Sequence, residues 1–299
     1  MASSLEPIVV LSLVVGAIAA LIFAGVLVAL VVFTVRYRDP RSGPVPQIHG
    51  HRSLELAWTI APLGLLAIIF AFSLVTLGQI GQGATFGSLE PPLHITVIGH
   101  QWWFEFRYPG GAVTANEAHI PAGVPIELEL ESADVIHDLW VPELGAKSDV
   151  VPGQRNVLRL FTAHSGSFSG ACAEFCGLEH AWMRVLVIAE PRADFDRWLA
   201  GQTADATGQT GRGLEVMRSA VCSSCHRARG QVPGVSIGPD LTHVGSRATL
   251  AGGVVANTDD GMRAWIADPQ QFKPGALMPK VPMSVADLDA IVAYLRSLK

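Results

Sequence analysis

Charge is scarce in this chain. Only 16% of its 299 residues are Asp, Glu, Lys or Arg, while 49% are hydrophobic. A soluble domain carries about a quarter charged residues, so this balance points to a membrane-embedded part. The net charge of −5 argues against a nucleic-acid partner, which calls for a basic surface. Cysteine is sparse too. The four residues, Cys172, Cys176, Cys222 and Cys225, would permit two disulfides in an oxidising compartment. All four sit inside motifs that hold metals or cofactors, so no disulfide is expected. No Lys or Arg precedes the first apolar run, whose start carries Glu6. A secretory signal peptide starts basic and has an apolar core of about 7–15 residues, so a retained anchor is expected.

Two long runs are without charge, Ile8 to Val35 and Leu56 to Ile80. Each exceeds the roughly 20 residues that cross a bilayer. Arg36, Arg38, Arg41 and Arg52 lie between them, and the positive-inside rule assigns that short loop to the cytoplasm. The rest of the chain is then extracytoplasmic, as expected for a multi-pass protein of the bacterial cell (inner) membrane.

From Leu93 the period shortens to two. Trp102, Phe104, Phe106 and Tyr108 alternate with Trp103, Glu105 and Arg107; Ile126, Leu128 and Leu130 alternate with Glu127, Glu129 and Glu131. Alternation with aromatic and β-branched residues reads as strands. Several short strands between Pro- and Gly-marked turns predict a sandwich. Within this region Cys172-Ala-Glu-Phe-Cys176-Gly-Leu-Glu-His180-Ala-Trp-Met183 gathers soft ligands. Thiolate, thioether and imidazole together suit copper, and a mononuclear blue-copper site needs one cysteine and two histidines. Here a second cysteine would let thiolates bridge two ions, and the second histidine must come from elsewhere. His137, in Asp134-Val-Ile-His-Asp-Leu-Trp140, is the best donor. The bland alternative is a pair of free core cysteines beside a chance histidine and methionine.

Gly201 to Gly211 has no aliphatic side chain larger than alanine and reads as a flexible linker. Val221-Cys-Ser-Ser-Cys-His226 follows, the attachment pattern of c-type haem. Cys222 and Cys225 would reach the two vinyl groups, and His226 would bind the iron. A zinc half-site is the alternative, but no second C-x-x-C occurs. Leu288, Ile291, Val292 and Leu295 stand at helical spacing after Ser284, which predicts a C-terminal helix with a serine N-cap.

These motifs resemble subunit II of haem–copper oxidases, specifically the caa3-type cytochrome c oxidase subunit with a fused cytochrome c. The resemblance covers nearly the whole chain. It implies a multidomain fold: a two-helix transmembrane hairpin over 1–90, an all-β cupredoxin-like sandwich over 91–195 carrying a dinuclear copper-A centre, a flexible linker over 196–211, and an all-α class I cytochrome c domain over 212–299. It implies His137, Cys172, Glu174 (through its carbonyl), Cys176, His180 and Met183 as copper ligands. It implies magnesium on the Glu174 side chain at the subunit I contact, and electron entry at Trp102. Gly238-Pro-Asp-Leu241 resembles the loop that orients the proximal histidine. Gly275-Ala-Leu-Met-Pro279 resembles the loop that gives the axial ligand, making Met278 the sixth ligand and Met283 the rival. Methionine–histidine ligation raises the potential. Glu55, in Leu54-Glu-Leu-Ala-Trp-Thr-Ile-Ala-Pro62, matches an acid at the mouth of a proton path, although an acid there also suits the helix dipole.

The implied function is electron transfer within an oxidase that reduces oxygen in subunit I. A donor (cytochrome c, a cytochrome bc-type complex or a copper protein) feeds haem c, then the copper pair, then haem in subunit I. The chain itself supplies no catalytic acid, base or nucleophile. Alternatives are the copper-A subunit of a nitric oxide reductase and, from another class, a membrane-tethered copper chaperone. The remaining histidines, His49, His51, His94, His119, His164 and His243, have no partners at ligand spacing, and His100 is assigned no copper. By charge, residues 90–190 sum to −8 and residues 212–299 to +3. Opposite fields predict a transient, steered docking of the cytochrome on an acidic patch that includes Asp134 and Asp138.

Overall fold

The structure is a computed structural model, and it describes residues 6–38, 49–83, 91–219, 221–235 and 237–299. Arg41 of the basic loop lies outside the described residues. The chain forms two compact units, residues 2–86 and 87–299.

The first unit holds α1 (Glu6–Arg36) and α2 (Arg52–Gly83). At 1.5 Å per residue each is roughly 45 Å long, more than the apolar thickness of a bilayer. Their apolar side chains, Leu21, Phe23, Trp58 and Leu63 among them, are exposed. Water does not favour such a surface, whereas lipid or protein would cover it. At the start of α2, Glu55 Oε1 accepts the His51 N–H at 3.3 Å, and His51 Nδ1 accepts the Leu54 N–H at 3.3 Å. This reciprocal arrangement satisfies donors that a helix start leaves free.

The second unit begins with a sandwich of two five-stranded sheets. The strands are β1 (Leu93–His100), β2 (Trp103–Arg107), β3 (Val113–Ala115), β4 (Glu117–Pro121), β5 (Ile126–Ser132), β6 (His137–Val141), β7 (Ala146–Val150), β8 (Asn156–Leu160), β9 (Gly166–Cys172) and β10 (Arg184–Glu190). One sheet runs β3-β2-β1-β5-β8 and the other β4-β10-β9-β6-β7. Pairs β1–β5 and β4–β10 are parallel. On β5 the alternation places Ile126, Leu128 and Leu130 in the core, while Glu127, Glu129 and Glu131 pair outside with Arg159 and Arg155. On β2 the simple alternation fails. Trp103, Phe104, Glu105 and Phe106 are all buried; on the outward side Trp103 borders a cavity of the C-terminal lobe and Glu105 is covered by His100 and Arg107.

Next comes α3 (Arg192–Thr203). Its Trp198 meets Tyr108 edge-on at 5.2 Å and stacks on His119 at 4.1 Å, while Phe195 joins the sandwich core. The expected linker over 196–211 is therefore helical to Thr203. Beyond it, Arg229 donates to the carbonyls of Gln202, Thr203 and Ala204. Gln231 donates to Gly208 O, and the Ser297 hydroxyl accepts the Gln209 N–H. A stretch poor in side-chain anchors is tied down through its backbone.

The C-terminal lobe follows as α4 (Arg212–Ser219), a short hairpin of β11 (Thr249–Leu250) and β12 (Val255–Ala256), α5 (Asp259–Ala267), α6 (Pro269–Phe272) and α7 (Val285–Ser297). The Ser284 side chain caps α7 by accepting the Asp287 N–H at 3.1 Å. Helices α4 and α7 cross at Gly213. A Cβ there would collide with the Ala290 carbonyl and lie 2.6 Å from Tyr294 Cβ, so only glycine permits the approach. A separate core of Leu214, Met217, Met262, Ile291, Tyr294 and Leu295 fills this lobe.

Candidate functional site

Copper chemistry needs soft ligands held at one point, and the sandwich delivers them from two strand ends and one loop. β6 starts at His137, β9 ends at Cys172, and the loop 173–183 returns to β10. Pairing of β6 with β9 sets Leu139 opposite Cys172. The Cys172 N–H donates to Met183 O at 2.9 Å and the Ala173 N–H to Asp138 O at 3.2 Å, which closes the loop on itself. A ring nitrogen of His137 and both thiol sulfurs lie within 4.8 Å of one another. Cys172 Sγ stands 3.8 Å from Cys176 Sγ and 3.2 Å from Glu174 O. Cys176 Sγ lies 3.7 Å from His180 Nδ1 and 3.8 Å from Met183 Sδ. All six residues expected as copper ligands thus converge.

The donor set fits copper. A disulfide needs sulfurs about 2.05 Å apart, and these stay at 3.8 Å with both thiols free. A metal–thiolate bond is about 2.3 Å, so one ion can touch both sulfurs. His137 is fully buried, and its Nδ1 has no hydrogen-bond partner among the described residues. Such an orphaned nitrogen calls for a partner. The Cys176 thiol donates to Cys172, and together with His137 and the Asp138 and Glu174 backbone this outweighs burial and pulls the Cys172 thiol far down, so it deprotonates first. Cys176 is pushed up by the hydrogen bond it donates to Cys172, by burial and by its neighbour's charge.

Asp134 and Asp138 do not form an open acidic patch. Asp134 accepts from Gln101 N at 2.7 Å and pairs with His137 Nε2 at 2.7 Å. Asp138 is 1% exposed. Asp134 is exposed and also braces the His137 ring, whereas Asp138 is buried, so only Asp134 of the expected docking pair is open to a partner.

The second site is an apolar cavity with about 1510 Å³ of empty space including its open mouth. Cys222, Cys225, His226 and Met278 line it. His226 Nδ1 donates to Pro239 O at 2.7 Å, which leaves Nε2 free for a ligand role. Burial lowers its pKa and keeps the ring neutral, as iron ligation requires. A Cβ on Gly238 would lie 2.9 Å from His226 Nδ1, so the glycine makes room for the ring. Gln270 donates to Ala276 O at 2.8 Å and Met278 O at 3.1 Å and accepts the Gly275 N–H at 2.9 Å, bracing the methionine loop. Met283 packs on the core instead and does not line the cavity. Two attachable thiols, a neutral imidazole and a thioether around an apolar space fit haem c.

Trp102 joins the two sites. It lines the cavity, and its indole Nε1–H donates to Cys176 O at 2.9 Å. Gln101 Nε2 donates to the same carbonyl at 2.7 Å. Gln101, Glu117, Glu179 and Lys273 were not legible as site residues; only Gln101, beside the tryptophan, and Glu179, inside the ligand motif, had a positional signal.

The family described as cytochrome c oxidase subunit II, periplasmic domain, matches residues 112–190, and the cytochrome c family matches residues 211–299. The cytochrome c oxidase subunit 2 of Alkalihalophilus pseudofirmus is 37% identical, covering 91% of this chain and 83% of its own length. This chain belongs to the cytochrome c oxidase subunit II family. The subunit 2 of Bacillus subtilis is 29% identical over 89% of this chain and 81% of its own. The periplasmic domain of subunit II of the Bradyrhizobium japonicum oxidase, a crystal structure, is 28% identical with a TM-score of 0.37, covering 38% of this chain and 94% of that one. As a subunit II with a fused cytochrome c, the chain is the electron-transfer subunit of a terminal oxidase. It partners with other oxidase subunits, is anchored in a membrane, and carries domains whose families point to copper and haem. A nitric oxide reductase subunit and a copper chaperone are not favoured.

Proposed function

We propose that His137, Cys172, Glu174, Cys176, His180 and Met183 would hold a dinuclear copper centre, and that Cys222, Cys225, His226 and Met278 would hold a covalent haem c. Both groups, when bound, supply reversible one-electron oxidation and reduction. The observation that carries this reading is Trp102, whose ring lines the Cys222–Met278 cavity while its N–H holds the Cys176 carbonyl. The protein's own work is to order the path. His137 is fixed by Asp134, His226 by Pro239 O, and the Met278 loop by Gln270, so little rearranges when charge moves.

Around the copper ligands, Phe175 and Leu178 are 77% and 80% exposed, an apolar rim suited to a partner subunit. The exposed Glu174 side chain beside them is the candidate for magnesium at the subunit I contact. The donor is a cytochrome c, a cytochrome bc-type complex or a copper protein. The basic loop is cytoplasmic and residues 91–299 are extracytoplasmic in a bacterial inner membrane, divided at about residues 90, 195 and 211 into hairpin, copper domain, connecting segment and cytochrome. An impermeant thiol reagent tests this on Ser42→Cys and Ser246→Cys variants in intact cells. Labelling at 246 alone supports the topology, and labelling at 42 alone contradicts it. Glu55 caps α2 and is offered here as a proton-entry residue as well. Glu55→Gln should slow turnover without altering copper or haem content.

A further inference from the structure

The cytochrome lobe is fastened to the sandwich by buried polar contacts at two places along the cavity that Trp102 lines. The first is Glu117, at the start of β4 and 3% exposed. Its carboxylate accepts the Ala248 N–H at 3.0 Å, the Thr249 N–H at 2.7 Å and the Thr249 hydroxyl at 2.9 Å. These donors open the β11–β12 hairpin, more than a hundred residues away in sequence. Asn116, at φ +61°, turns the chain into β4, and its side-chain carbonyl accepts the Phe104 N–H at 2.9 Å. The carboxylate is thereby held from its own side. Arg247, half-buried, stands next in sequence to those donors, and the charges of Glu117 and Asp240 offset part of its desolvation. The second place is Lys273, whose ammonium pairs with Glu179 at 3.6 Å, the two side chains being 6% and 1% exposed. It also donates to Trp102 O at 3.4 Å.

A carboxylate buried this deeply has exchanged its water for three protein donors, and charge-assisted bonds of this kind are strong. Undocking would leave the carboxylate and the hairpin donors to be rehydrated together. Steered, transient contact would leave such groups wet at the rim.

We infer that Glu117 is a positioning residue that locks the cytochrome hairpin to the sandwich, so that the Cys222–Met278 cavity faces Trp102 in a fixed interface rather than by repeated encounter. This rests on the copper and haem assignments above. The test uses the assembled oxidase with haem and copper in place, and has two readouts. One is amide exchange of the peptide containing Ala248 and Thr249. The other is the rate of haem-to-copper electron transfer after flash photolysis, followed as salt rises from about 0.1 to 1 M, where the Debye length falls from about 10 to 3 Å. In the native protein the two amides should be protected and the rate flat with salt. In Glu117→Ala their exchange should accelerate by at least about tenfold, and the transfer rate should fall and become salt-dependent, with the haem spectrum and copper content unchanged. Glu117→Gln, which keeps an acceptor oxygen, should be intermediate. Unprotected amides, or a salt-dependent rate, in the native protein would overturn the proposal even if Glu117→Ala fails to fold. So would unchanged exchange in a folded Glu117→Ala. Native protein lacking haem or copper would overturn the site assignments and this proposal with them; intact spectra with unprotected amides would overturn this proposal alone.

Discussion

The Trp102 indole N–H and the Cys176 carbonyl oxygen are hydrogen-bonded at 2.9 Å. One ring that lines the Cys222–Met278 cavity is thus fixed to the backbone of a proposed copper ligand. On the proposed electron path the ring would narrow the apolar gap between the two sites, and the bond holds the ring in place.

Trp102→Leu should therefore slow reduction of the copper centre from the haem, because it removes both the ring and the bond that holds it. Copper and haem content should stay unchanged, because Trp102 ligates neither. Flash photolysis reads the rate, and an unchanged rate would remove Trp102 from the path.

Cys172→Ser should abolish the copper pair, since a hard hydroxyl cannot bridge copper as a thiolate does. Met183→Leu should keep copper and shift its spectrum, because the thioether is a weak ligand and Met183 is fully buried, so leucine fills its place. Copper per haem, measured by elemental analysis, separates the two outcomes.

Met278→Leu should leave the haem attached through Cys222 and Cys225 while lowering its potential, because methionine ligation raises it. Loss of the sulfur-to-iron absorption band checks the ligand. Persistence of that band would move the sixth ligand to another residue. Cys222→Ala should weaken covalent attachment, visible as haem lost on denaturing gels.

Burial alone would raise the Glu105 carboxyl, but contacts with His100 and Arg107 outweigh it and hold the group below the ordinary carboxylate range. Its folded value lies below its unfolded value. The stabilisation is therefore present above the unfolded value, about pH 4.3, and is lost as pH falls through the folded one. Acid titration of the folded chain should show this as a drop in thermal midpoint below about pH 4.3 that is flatter in Glu105→Gln.

What was legible depended on distance along the chain. Cys172 to Met183 and Val221 to His226 each carry most of their proposed ligands within one short stretch, so spacing pointed to the chemistry, while His137 and Met278 come from elsewhere in the chain. The alternation on β5 exposed a half-buried strand for the same local reason. Glu117 with Thr249, and Lys273 with Glu179, are contacts across long separations that leave no periodic mark. The segment after Gly201 was misleading for another reason. Its composition has little to bury, yet its backbone carbonyls are held by Arg229 and Gln231. Asp138 was counted as surface charge although it is 1% exposed, because a sum of charges cannot tell a solvated acid from a buried one.

The most direct test of the whole account is to purify the chain and determine copper and haem together with its optical and EPR spectra. The account predicts two coppers for each covalent haem, a copper signal that disappears in Cys172→Ser, and a haem spectrum of histidine–methionine ligation that survives that change. A single copper per haem, zinc in place of copper, or a haem that is lost along with Cys172 would contradict it.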